Sequence, residues 1–206
     1  THEELTEFFV ARPLSPLKRL MILLQDCTEP QKILFTGHRG SGKTTELAKL
    51  AASLEDKFFI IRCTAKRHLN LSDLTSADVV LSIGLELLSE SINKKLKVSP
   101  RVLRTFLDFT KEITIEVKND DKTGMEAGLE AGINFEAAIA KIFARMRTED
   151  TTRISIRKTL GHRFYDLLEN IDFLSQEVKT ATGRPVLAIV EDLDKTPLDT
   201  SENLFY

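Results

Sequence analysis

Apolar and polar positions along this chain keep two rhythms, one of helical period and one of strand period, and the changes between them mark out its elements. Ser15-Pro16 reads as an N-cap followed by Pro at the first helical position, and Leu17, Leu20, Met21 and Leu24 recur at helical spacing. A short amphipathic helix is therefore expected up to about Asp26. Lys32 to Thr36 is a brief apolar run of the kind that fills a buried parallel strand, and it leads directly into a glycine-rich loop. From Thr44 to Leu54 the apolar positions Leu47, Leu50, Ala51 and Leu54 return to helical period. Phe58 to Cys63 then predicts a second strand, which would complete a right-handed βαβ unit.

Helices are predicted over about 73–93 and about 100–110, the second opened by Ser99-Pro100. Ile113, Ile115 and Val117 alternate with polar residues as in a half-buried strand, and residues 119–124 form a turn-rich break. Beyond it, Met125, Ala127, Leu129, Ala131, Ile133 and Phe135 again alternate with polar or small residues, so the two runs predict a β-hairpin. A helix is the competing reading, because Gly124, Gly128 and Gly132 would form one small-residue stripe. Three interior glycines would cost such a helix roughly 3 kcal/mol, which favours strands. Ala137 to Arg147 and about Ile154 to Ala181 read as helices, the latter with Ile156, Leu160, Phe164, Leu167, Leu168, Ile171, Leu174 and Val178 on one stripe. Gly183-Arg184-Pro185 ends it, and Val186 to Val190 follows as a strand expected to be buried on both faces.

Together these elements predict an α/β fold: a three-layer parallel sheet with helices on both faces, of the P-loop NTPase type. Its core would lie at about 14–63 and 183–206, with a largely helical insertion at about 64–182 that holds the hairpin. That insertion is too long for a simple crossover and should carry the protein's individuality. It offers a surface for self-association or a protein partner.

The composition suits an ordinary soluble core, with 42% hydrophobic and 29% charged residues. A net charge of −2 supplies no global positive field for nucleic acid or an anionic membrane. The run Leu20 to Leu24 is far shorter than the roughly 20 residues of a membrane span, and no signal peptide is recognisable, which predicts a cytoplasmic protein. Cys27 and Cys63 have no metal-ligand spacing and read as packing residues.

The chemistry concentrates in residues 37–44, Gly-His-Arg-Gly-Ser-Gly-Lys-Thr. Gly37, Gly40 and Gly42 let the loop wrap a phosphate with backbone N–H groups pointing inward, which side chains would obstruct. Lys43 supplies a mobile charge for the β- and γ-phosphates, and Thr44 a hydroxyl for Mg²⁺. Thr45 would reach the α-phosphate at the start of the helix, whose dipole favours the anion. His38, Arg39 and Ser41 complete the loop, with His38 and Arg39 at positions that vary freely in such motifs. ATP or ADP with Mg²⁺ is the expected ligand.

An apolar strand before the loop and an amphipathic helix after it make a chance match improbable. A P-loop protein holds its metal with an acid at the end of a neighbouring strand, and Val186 to Val190 delivers Glu191 and Asp192 to such a place. Glu191 is then expected to orient Mg²⁺ through water, and Asp192 to act as the base on the attacking water.

The segments 33–47 (Ile-Leu-Phe-Thr-Gly-His-Arg-Gly-Ser-Gly-Lys-Thr-Thr-Glu-Leu) and 186–195 (Val-Leu-Ala-Ile-Val-Glu-Asp-Leu-Asp-Lys) resemble those of the AAA+/STAND group of bacterial P-loop ATPases. The resemblance implies a nucleotide-dependent switch within a multidomain signalling or defence-type protein. Two departures accompany it. The acid pair has Glu before Asp, the reverse of the usual order, which predicts slow hydrolysis. The strand that carries a polar sensor residue in this group would follow residue 206, so the chain is expected to be part of a longer protein.

Two other function classes remain open. A small kinase or GTPase would need no further strand, but the guanine-reading Asn-Lys-x-Asp motif does not occur, and the only basic run that could serve as a lid is Lys141, Arg145, Arg147, Arg153, Arg157, Lys158 and Arg163. The same run could supply a trans-acting arginine or a nucleic-acid contact, although a solvated helical face is its plainer reading. A nucleotide-gated interaction module with little turnover is the non-enzymatic class.

Overall fold

A computed structural model of the chain describes residues 17–106 except 28 and 39, residue 108, and residues 135–193 except 149. The chain divides into two units, Thr1–Ile60 and Ile61–Tyr206.

In the first unit, helix α1 (Leu17–Gln25) packs against α2 (Lys43–Leu54). Leu20 of α1 and Leu50, Ala51 and Leu54 of α2 are buried, so the helical periods read from the sequence do face a shared core. Ser15-Pro16 lies outside the described residues. Strand β1 (Phe59–Thr64) begins at the end of this unit and continues into the second. Phe59, Ile61 and Cys63 are buried on one side of β1, with Arg62 exposed between them.

The second unit is mainly helical. A short helix α3 (Ala65–His68) and a 3₁₀ turn (Leu71–Asp73) lead to α4 (Ser76–Asn93). Thr75 and Asp78 close a capping box there: the Thr75 hydroxyl accepts from the Asp78 amide and the Asp78 carboxylate accepts from the Thr75 amide. Residues 100–106 form α5, which starts where Ser99-Pro100 places it, with the Ser99 hydroxyl accepting from the Val102 amide at 3.4 Å. Helix α6 (Phe135–Thr148) packs on α3, α4 and α7, and α7 (Asp150–Thr182) lies along α4. Leu160, Leu167, Leu174 and Val178 of the predicted α7 stripe are buried. Arg163 interrupts α7 with φ −126° and ψ 22°, so two helical segments meet there at a kink. Gly183 ends it in the left-handed region, its amide bonded to the Lys179 carbonyl at 2.8 Å. Strand β2 (Val186–Glu191) then pairs parallel with β1.

The sheet corrects the expected fold. Among the described residues it has two strands, β1 and β2, within a mostly helical chain, and no three-layer parallel sheet with helices on both faces is present. Lys32 to Thr36, predicted as a buried parallel strand, joins no ladder, and Ile33 and Leu34 are 40% and 60% exposed. A short apolar run has no backbone preference strong enough to make a strand alone; pairing and burial decide it, and these residues receive neither. Val186 to Val190 departs from expectation for the same reason. Ala188 is exposed and only Ile189 and Glu191 of β2 are buried, as a two-stranded sheet leaves its outer edges uncovered. The predicted hairpin lies outside the described residues up to 134, and its last two positions, Phe135 and Glu136, belong to α6 instead. No helix among the described residues is long and apolar enough to cross a membrane.

Candidate functional site

The glycine-rich loop of the first unit is folded tightly on itself. The Ser41 amide donates to the His38 carbonyl at 3.1 Å, and Gly40 and Gly42 take φ of 78° and 82°, values that need glycine. Gly37 is required for a different reason: a Cβ there would stand 3.2 Å from Ser41 Oγ, tighter than ordinary contact. Gly42 is also the N-cap of α2 and has no side chain to satisfy the helix. The first helical bond runs from the Glu46 amide to the Gly42 carbonyl at 3.0 Å, so the amides of Lys43, Thr44 and Thr45 precede the hydrogen-bonded ladder. Such amides, at the positive end of the helix dipole, are the donors an anion needs.

Lys43 Nζ donates to the carbonyls of Gly37 at 2.7 Å and His38 at 3.2 Å. The ammonium is thus drawn over the mouth of the loop, where it can exchange carbonyl partners for phosphate oxygens. Thr44 and Thr45 are exposed, as is His38, while Ser41 is half-buried. Arg39 lies outside the described residues. Glu46, not singled out in the sequence reading, is buried in the first turn of α2 and adds a negative charge beside the helix N-terminus. Its position four residues beyond the N-cap was the available signal.

The acid pair belongs to the second unit and stands as a separate local site. Glu191 is the last residue of β2, its side chain 7% exposed, and its Oε1 accepts from both Nε (3.2 Å) and Nη2 of Arg62 on β1. Burial of a carboxylate is costly without such a partner. Asp192 leaves the strand with φ 69°, a conformation that Asp tolerates better than most residues, and is half-buried. Consecutive in sequence, the two acids therefore leave the sheet with different backbone geometry. No group of three or more His, Cys, Asp or Glu arranged to hold a metal ion occurs among the described residues.

These donors fit a phosphate better than they fit a metal. Gly42, Lys43, Thr44 and Thr45 present amides, an ammonium and hydroxyls, and Thr44 can offer its hydroxyl to a cation that arrives with the phosphates. Of the two Glu191 oxygens that could orient a metal through water, Oε1 already accepts from the Arg62 guanidinium.

Two arginines of the basic run, Arg157 and Arg163, are likewise engaged, whereas Arg147 and Lys158 are exposed. Arg157 Nη1 binds Asp73 Oδ2 at 2.7 Å, its Nη2 binds Asp78 Oδ2 at 2.9 Å, and Arg163 Nε binds Asp166 Oδ2 at 3.2 Å. Neither arginine is poised to reach a neighbour's phosphate while these pairs hold. A shallow groove of about 500 Å³ along α7, lined by Tyr165, Leu168, Glu169, Ile171, Asp172 and Ser175, contains none of the predicted site residues. No protein-family model, curated protein or solved structure matches this chain.

Proposed function

We propose that residues 37–45 bind the phosphates of ATP or ADP with Mg²⁺, and that the protein is a nucleotide-dependent switch module of a larger cytoplasmic signalling or defence-type protein. The observation that carries this reading is the loop itself: a helix opened by Gly42, amides ahead of its first hydrogen bond, and Lys43 closed over the loop carbonyls. The resemblance of 33–47 and 186–195 to AAA+/STAND ATPases supports adenine as the base. Magnesium arriving with the nucleotide would neutralise phosphate charge, with Thr44 beside it.

The test is titration of the 206-residue chain with a fluorescent ATP analogue, alongside Lys43→Ala. Loss of one charge-assisted contact of about 1.5–3 kcal/mol predicts roughly 10- to 100-fold weaker binding. Equal binding by Lys43→Ala and wild type would sink the proposal, and equal affinity for ATP and GTP would remove the adenine assignment.

A second reading, a nucleotide-gated interaction module with little turnover, is favoured by the engagement of Glu191 with Arg62. Steady-state ATP turnover separates the readings. An ATPase with Asp192 as base loses turnover in Asp192→Asn, and a binding module shows almost none to lose.

A further inference from the structure

We infer that Glu191 is a structural anchor and not a metal acid, with Arg62 as its partner in a clip between the two strands. The sequence marks Glu191 as the first member of an acidic pair behind an apolar strand, and Arg62 drew no attention. Their side chains lie 129 residues apart in sequence and on adjacent strands in space. One carboxylate oxygen receives two donors of one guanidinium, so the pair is directional as well as ionic.

Exposure divides the roles. Arg62 keeps 42% of its side chain in contact with solvent, whereas Glu191 keeps 7%. The carboxylate is therefore the member that depends on the pair, because removing Arg62 would leave a buried charge uncompensated, while removing Glu191 would leave a cation that can turn to water. An acid that orients a metal through water needs a hydrated oxygen facing the cation. A guanidinium on Oε1 leaves only Oε2 for such a water and repels a cation brought to the same carboxylate. The two-stranded sheet gives the clip a reason to exist: with no third strand among the described residues to flank β2, a side-chain tie supplements the ladder.

The metal half of this inference rests on the phosphate-binding proposal above, while the clip stands on the strand pairing and its ion pair alone.

Two measurements on the 206-residue chain test the inference. The first is a double-mutant cycle of Arg62→Met and Glu191→Met read by urea unfolding. A clip predicts that Arg62→Met lowers the midpoint more than Glu191→Met does, and that the double variant recovers part of the loss; strict additivity overturns the clip. The second is the Mg²⁺ dependence of binding of a fluorescent ATP analogue, read in Glu191→Gln. Glu191→Gln keeps an acceptor for Arg62 and should leave the Mg²⁺ dependence within about twofold of wild type, whereas loss of an acid acting on the metal through its outer shell would weaken it about 10- to 100-fold.

If Glu191→Gln weakens the Mg²⁺ dependence tenfold or more, or if Arg62→Met strengthens it, Glu191 is a metal acid held in reserve and the inference is wrong. Absence of nucleotide binding by the wild type would overturn the phosphate proposal, while the unfolding cycle would still decide whether the clip exists.

Discussion

Arg157 of α7 donates from Nη2 to Asp78 Oδ2 at 2.9 Å, so a residue on one helix completes the N-terminal cap of another. Asp78 is buried and already serves the capping box with Thr75, while Arg157 also holds the carboxylate and the backbone carbonyl of Asp73. Capping, ion pairing and helix packing therefore share one carboxylate. Arg157→Met strips the countercharge from a buried acid and is expected to lower stability by about 2–3 kcal/mol, short of the range for fully buried pairs. Two facts hold it short: 23% of the Arg157 side chain is exposed, and Asp78 Oδ1 has no hydrogen-bond partner among the described residues. Urea unfolding of Arg157→Met, Asp78→Asn and the double variant should show losses that do not add.

Gly84 carries the contact of α4 with α5 and α7. A Cβ built there would lie 2.9 Å from both Cδ1 and Cγ1 of Ile171 and 3.2 Å from Cε1 of Phe106. Alanine improves an exposed helix interior over glycine by about 0.8–1 kcal/mol, whereas inserting a methyl into a closed core costs typically 1–3 kcal/mol. Cγ1 is the inner carbon of a branched side chain and cannot swing away as a chain end could, so the clash should win. Gly84→Ala is expected to lower the thermal midpoint, and Gly84→Val to lower it further. A higher midpoint for Gly84→Ala would show that Ile171 repacks without cost.

How much of this was legible in the sequence depended on whether the signal was local. Helix ends written in side-chain chemistry were readable: Ser99-Pro100 opens α5 and Gly183 closes α7. The Leu160, Leu167 and Leu174 stripe was readable too, because helical period needs only one segment. Strands were harder, since Lys32 to Thr36 and Val186 to Val190 look alike as apolar runs and only the second finds a ladder partner. The kink at Arg163 had no clear marker beyond Gly161 nearby. In the candidate sites, the tight turn at Gly40 and Gly42 could be read from spacing alone, because the loop is contiguous. Arg62 could not, since its role comes from a strand pairing across 129 residues of sequence.

Cys63 gives a pH-dependent test of the β1 environment. Burial, then the Glu86 charge, pushes its thiol up to about 12 from an ordinary 9.0, while a hydrogen bond with Ser82 opposes the shift. The folded state therefore holds the proton more tightly than the unfolded chain does. Its preference for the thiol is constant below about pH 9, and stability falls as pH rises from there toward 12. Unfolding midpoints at about pH 8 and about pH 10.5 should differ more in wild type than in Cys63→Ala, which removes this one titration from the alkaline background. Iodoacetamide on the native protein should label half-buried Cys27 well before Cys63, and equal rates would contradict the burial of β1.

Gly40 and Gly42 have the same left-handed backbone but different tasks, and substitution can tell them apart. Gly40 has φ 78° and open space where a Cβ would go, so alanine there meets only the backbone penalty of roughly 1–2 kcal/mol. Gly42 has φ 82° and in addition is the N-cap of α2, the residue that precedes the first helix amides. Both variants should lose similar stability without nucleotide, because the φ values are nearly equal. Affinity for an ATP analogue should fall more in Gly42→Ala, since only there does the added methyl compete with a phosphate for the same space. Thermal midpoints with and without the analogue separate the two effects: a ligand that binds only the folded state raises the midpoint by an amount that grows with the logarithm of its affinity. Equal ligand-induced shifts in the two variants would mean that the phosphate does not approach α2 through Gly42, and the anion would have to be sought elsewhere on the loop.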